Sequence, residues 1–114
     1  MTAIAFAAPF LPGKAEAFRR FAQEALGARR KQQDESRSSK GLTRELCWIQ
    51  STPQGEMLIV LLEGEDPARA NREFAASDSA YDRWFKQEVG SMTGIDFNQP
   101  LPVLPELVFD WQKG

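Results

Sequence analysis

Two hydrophobic periods alternate along the chain. In residues 3–10, Ala3, Ala5 and Ala7 fall on one side and Ile4 and Phe6 on the other, the period of a strand. After Pro9, Pro12 and Gly13 the period lengthens. Ala15, Phe18, Ala22, Ala25 and Leu26 recur three and four apart, which predicts an amphipathic helix from residue 13 to about 31. Beyond Gly27 the chain is polar as far as Lys40. Opposite charges four apart, such as Lys31 and Glu35, suit a solvated extension of that helix, with Gly41 as its stop. Two apolar runs then flank Pro53-Gln54-Gly55-Glu56 as a hairpin. A turn centred on Gln54-Gly55 sets Trp48 opposite Leu61, Gln50 opposite Ile59, Leu46 opposite Glu63 and Arg44 opposite Glu65. One face collects Leu42, Arg44, Leu46, Trp48, Gln50, Ile59, Leu61 and Glu63. The other collects Thr43, Glu45, Cys47, Ile49, Leu58, Val60 and Leu62 and is expected under the helices. Asp66 as N-cap and Pro67 at the first helical position open a second helical stretch, with Ala70 and Phe74 inward. Ser77-Asp78-Ser79 breaks it before a new piece that carries Tyr81, Trp84, Phe85 and Val89, with Asp82 and Arg83 solvated; Gly90 and Gly94 loosen its end. Residues 95–105, with Pro100, Pro102 and Pro105, read as an extended arm, and Leu107-Val108-Phe109-Asp110-Trp111 as a closing strand.

That order is βαββαβ, the ferredoxin-like split motif. It predicts an α+β fold with a four-stranded antiparallel sheet and two helices on one face. Residues 57–62 are apolar on both faces, so this strand must be covered on both sides. The helices cover one. Left in water, Trp48, Ile59 and Leu61 would form a patch of the kind that marks an interface. The expected cover is a second copy of the chain, giving a homodimer joined through the sheet face.

Composition narrows the classes. One domain, 1–114, is expected at this length. Apolar residues make up 42% and charged residues 26%, a globular balance. Fourteen basic against sixteen acidic residues give a net charge of −2, without the basic footprint of a nucleic-acid binder. The run Arg29-Arg30-Lys31 is followed by Asp34 and Glu35 and reads as a solvated face. No segment reaches the roughly 18 apolar residues of a membrane span, so neither nucleic acid nor membrane is an expected partner. The opening apolar run has no basic residue before it and reads as a strand rather than a secretory signal, leaving the cytoplasm as the expected compartment.

There is no histidine and one cysteine. This removes histidine-dependent triads and dyads, a structural zinc site and imidazole ligation of haem. No phosphate-cradling glycine loop or dinucleotide fingerprint occurs. No catalytic residue, cofactor or metal is therefore assigned. Cys47 reads as a buried, inert thiol packed as a small hydrophobe. Arg44, Trp48, Gln50 and Glu63 share the face assigned to the dimer interior, and they are the candidate ligand-binding residues. Arg44 would hold an acidic group, Gln50 or Glu63 would accept hydroxyl protons, and Trp48 would form a stacking wall in a mostly apolar pocket. The plainer reading is an Arg44–Glu63 pair that fixes the register of an interface. If Ala3, Ala5 and Ala7 face the same side, they leave free volume beside Trp48 and Leu61; if Ile4 and Phe6 do, the space fills.

Through residues 42–50, the Pro53-Gln54-Gly55 turn, 57–63, Tyr81-Asp82-Arg83-Trp84-Phe85 and Gly94-Ile95-Asp96, the chain resembles small bacterial members of the dimeric α/β barrel superfamily. The resemblance implies a homodimeric barrel and, in each subunit, a pocket between helices and sheet. Relatives include cofactor-free monooxygenases, isomerases and haem-handling enzymes; the last generally use a histidine. The function expected from the chain is binding of a small apolar or aromatic molecule. Its rivals are a cofactor-independent monooxygenase or isomerase with Glu63 as base, and a purely structural dimer.

Overall fold

The computed structural model describes residues 2–101 and 103–114. Pro102, one of the three prolines expected to stiffen the arm, lies outside the described residues. The elements run β1 (Thr2–Pro9), α1 (Ala15–Leu26), α2 (Arg30–Ser38), β2 (Leu42–Thr52), β3 (Gly55–Gly64), α3 (Pro67–Ala76) and α4 (Ala80–Thr93). The fold is α+β: among the described residues, an open antiparallel sheet in the order β1-β3-β2 with four helices. Among the described residues no helix is long and apolar enough to cross a membrane.

The helix count differs from the two stretches expected. Gly27 ends α1, and a Cβ there would lie 2.7 Å from the Gln23 carbonyl oxygen, so the chain turns before α2 starts at Arg30. The α1 stripe is Ala15, Phe18, Phe21 and Ala25; Leu26, expected inward, is exposed because the helix ends beside it. In the second stretch, Asp66 accepts from the Arg69 amide at 3.0 Å and Ser79 caps α4, so the break at 77–79 falls where the capping residues predict it. Gly94, at φ +77°, closes α4 in the left-handed conformation.

The hairpin turns on Pro53-Gln54, with Thr52 opposite Gly55. This slides the expected register by two residues. Trp48 opposes Ile59, Gln50 opposes Met57 and Arg44 opposes Glu63. A two-residue slip leaves each side chain on its face, so the face assignment survives from Arg44 onward. Leu42 is the exception. An irregularity between Leu42 and Arg44 turns Leu42 into the core, as a bulge does.

On the helix side, Leu58, Val60 and Leu62 of β3 meet Phe18, Phe21, Ala70, Val89 and Met92. Ile4 and Phe6 of β1 join from the same side, across from Leu62 and Val60. Ala3, Ala5 and Ala7 therefore lie on the opposite face, across from Glu63, Leu61 and Ile59. That face is open in the single chain: the alanines are exposed, and Trp48 is 48% exposed.

The strand expected at 107–111 is absent, and the sheet has three strands among the described residues rather than four. After α4 the chain turns at Asp96, and the Leu101 amide donates to Asn71 Oδ1 at 3.2 Å, tying it to α3. Pro100 and Pro105 have no amide hydrogen to donate to a ladder. The following residues run free of the sheet, with Leu107, Val108, Phe109 and Trp111 between 73% and 83% exposed.

Candidate functional site

A cavity lies between the helix layer and the sheet. Its floor is Leu58, Val60 and Leu62 of β3 with Phe6 of β1, and its roof is Phe18 of α1, Ala70 and Phe74 of α3 and Phe85 and Val89 of α4. Strand alternation explains the floor, since every second β3 residue faces the helices. The N-capped start of α3 and the helical spacing of Ala70 and Phe74 set the roof. The volume open to the centre of a water-sized sphere is about 60 Å³, several times the ~10–15 Å³ that one water requires. Apolar groups make nearly all of its surface. Cys47, on edge strand β2, is the exposed residue of the lining, so the cavity meets solvent at that edge.

One wall is charged. Arg37, near the end of α2, donates through Nε to Glu45 Oε1 at 2.7 Å and through a terminal nitrogen to Ser36 Oγ at 2.9 Å. Its guanidinium sits 4.4 Å from the centre of the Phe85 ring and 4.8 Å from that of Phe74, a cation–π arrangement. Gln33 Nε2 adds a hydrogen bond to Glu45 at 3.1 Å, and Tyr81 donates its hydroxyl to Gln33 Oε1. Behind this pair lies a second. Lys40 Nζ donates to Asp82 Oδ2 at 2.9 Å and to the Ser36 carbonyl at 2.8 Å; Ser36 Oγ donates to Asp82 Oδ1 at 2.5 Å. Two cations and two carboxylates close the network without net charge.

The titration of these groups follows from burial and partners. Burial works to raise the Asp82 pKa, but hydrogen bonds from Ser36, Ser77 and Lys40 outweigh it and hold the carboxyl at about 2. For Arg37, burial opposes the charge, while Glu45, Tyr81 and Asp82 more than offset it, so it stays a fixed cation. Scarcity of water drives the Tyr81 hydroxyl up to about 12. The Cys47 thiol, turned toward the cavity, is likewise pushed up to about 12, first by burial and then by Glu45. Cys47, expected to be a buried thiol, is instead exposed as an edge-strand residue; its raised pKa disfavours the reactive thiolate. Lys86, whose pKa burial lowers, donates to the carbonyls of Ala75 and Ser77 at 3.0 and 2.7 Å and secures the end of α3.

The four candidate residues of the sequence lie elsewhere. Arg44, Trp48, Gln50 and Glu63 share the open face, with Arg44 directly across from Glu63, and none lines the apolar cavity. Arg44 also borders a polar groove between α2 and β2. The structure therefore brings the four to one face, together with the three small alanines of β1, but on the side away from the cavity.

Sequence reasoning missed the charged wall. Asp82, expected in solvent, is 1% exposed, and Lys40, placed in a solvated extension, is buried. The spacing alone could not have found it. Gln33, Ser36, Arg37 and Lys40 recur at helical spacing, a polar stripe that a search for apolar periodicity passes over. The basic run behaves more nearly as expected: Arg30 pairs with Asp34 at 3.0 Å and Arg29 with Glu24 at 2.8 Å, though Arg29 also covers the Trp84 ring at 4.1 Å. Among the described residues no group of acidic or cysteine side chains is arranged to hold a metal ion. No family model matches the chain, nor does any curated protein or solved structure.

Proposed function

We propose that this chain binds a small, largely apolar or aromatic molecule in the cavity between the helices and the sheet, and that it works as a homodimer joined through the open sheet face. The cavity carries the reading. It is an apolar space whose wall includes two ion-paired cations, Arg37 and Lys40, with Arg37 beside two aromatic rings, the composition of a ligand site: mostly apolar, with few polar groups. Its volume suits a small molecule, or one ring of a larger one, entering past Cys47. Arg37 lines the cavity through its apolar stem while its guanidinium stays in the ion-pair network, so the space favours an apolar or aromatic ligand. Glu45 keeps the charge balanced when the site is empty. Support for the dimer comes from the other face, where Ile59 and Leu61 of β3 stand beside Trp48 and three exposed alanines, an apolar patch suited to an interface.

The test is a thermal-shift screen against aromatic acids, phenols, quinones and fatty acids, run on the chain and on Ala70→Leu, which fills the cavity from α3. A ligand at a hundred times its Kd stabilises by about 2.7 kcal/mol, roughly 10 °C for a domain of this size. The expected result is a rise with one chemical class that Ala70→Leu abolishes. A rise that survives Ala70→Leu but disappears in Trp48→Ala would move the site to the open face. Indifference to every class would leave only a structural dimer. Light scattering tests the dimer directly: Trp48→Ala, acting at an aromatic anchor, should weaken it at least 30-fold, the equivalent of about 2 kcal/mol.

A further inference from the structure

We infer that residues 106–114 form an exchanged strand, pairing with the free edge of β1 in a second copy of this chain. β1 and β2 are the two outer strands of the sheet, and they differ in kind. β2 carries Arg44 and Glu45 and an irregularity near its start, the devices that blunt an edge. β1, with the sequence Thr-Ala-Ile-Ala-Phe-Ala-Ala-Pro, has no charge. It leaves a row of backbone groups unpaired, which is a template for another strand.

The arm matches that template. Leu107, Phe109 and Trp111 alternate with Val108 and Asp110, a strand pattern with a large apolar face. On the open side of β1 stand Ala3, Ala5 and Ala7, small enough to receive Phe109 and Trp111 beside them. Leu107, Val108, Phe109 and Trp111 are almost fully exposed in the single chain. The chain leaves α3 at Leu101 and bends at Val103 before the arm begins. Past this bend the arm does not return to its own β1: residues 107–111 stay off the sheet and exposed, so a second copy is the occupant. Exchange of an identical element is a low-cost route to a dimer. An aromatic side chain buries about 150–250 Å², so two reciprocal arms supply on the order of 1,000 Å². With the β1 edge included, that reaches the ~1,200–2,000 Å² of stable interfaces. The second copy is that of the proposed dimer, but the contact is separate from the sheet face.

The experiment uses the full chain with Cys47→Ser, so that introduced cysteines are the only thiols. One chain carries Phe109→Cys; its differently tagged partner carries Ala3→Cys, Ala5→Cys or Ala7→Cys. Mixed and gently oxidised, they should give a mixed disulfide dimer for at least one pair. A chain ending at Pro105 should dimerise at least tenfold more weakly by light scattering. Absence of the mixed disulfide at all three positions overturns the exchange. So does a disulfide that forms only within single chains carrying both substitutions, or an unchanged dimer affinity after truncation. If the truncated chain dimerises with unchanged affinity while Trp48→Ala does not dimerise, the sheet-face dimer stands and the exchange fails. A full chain that stays monomeric removes both.

Discussion

Asp82 is the most informative residue to perturb. Its carboxylate is buried at the start of α4 and takes hydrogen bonds from Ser36 at 2.5 Å and Lys40 at 2.9 Å. Asp82→Asn keeps the shape but leaves the Lys40 ammonium without its counter-charge in a buried site. Breaking a buried pair from one side costs about 3–5 kcal/mol. At roughly 4 °C per kcal/mol for a chain of this size, the midpoint should fall by about 12–20 °C at pH 7. Asp82→Asn combined with Lys40→Met removes both charges and should recover a large part of that loss, because an apolar replacement of a buried pair is often close to neutral.

The pH dependence gives an independent check. The folded pKa of about 2 lies below the ordinary 3.8, so ionised Asp82 contributes stability that is complete above pH ~4 and lost as the pH falls toward 2. The displacement is worth about 2 kcal/mol at 1.36 kcal/mol per pH unit. Urea unfolding of both proteins at pH 7 and near pH 2 should show their difference shrinking by about that amount on acidification. A single-variant loss below about 1 kcal/mol at pH 7, or a difference independent of pH, would refute this account of the network.

Three further expectations follow from particular positions. Leu58 is 2% exposed on the cavity floor, and Leu58→Ala should cost about 2–5 kcal/mol in urea unfolding; a loss under 1 would mean the floor collapses freely around the deletion. Gly64→Ala would place a Cβ 2.4 Å from the Gly41 carbonyl oxygen and 3.0 Å from Leu42 Cα, backbone that can yield only by parting β3 from the start of β2. It should cost about 2–3 kcal/mol, and an unchanged unfolding midpoint would contradict the close approach. The Cys47 thiol, at about 12, should react with an aromatic disulfide reagent at pH 8 on the order of 10³-fold more slowly folded than unfolded; equal rates would show that it is neither dehydrated nor held beside Glu45.

Local chemistry carried much of the fold. Asp66-Pro67 and Ser77-Asp78-Ser79 placed the ends of two helices because a cap is satisfied within one turn of chain. Alternation in 44–50 and 57–63 separated the two faces correctly even though the turn was placed one residue off and the register therefore slipped by two, because the side-chain period equals the size of the slip. The irregularity at Leu42 broke the same logic, as it inserts one residue instead of two.

Other features depended on packing between distant segments. Ser36 and Lys40 meet Asp82 across more than forty residues. Nothing in the polar run 28–40 distinguishes a stripe facing another helix from one facing water until α4 stands over it. The cavity, too, is a product of how Ala70, Phe74 and Phe85 come to rest above β3, and no short segment encodes a void. The closing strand shows the reverse. Residues 107–111 have the alternation of a strand, but a strand also needs a neighbour, and within the single chain they do not reach the free edge of β1. Sequence determined the α+β class, the hairpin faces, the helix caps and the absence of histidine chemistry, all set by periodicity or by residue type. Tertiary structure alone decided which polar residues are buried, where the cavity lies and that the sheet stops at three strands among the described residues, because each depends on contacts between segments far apart in the chain.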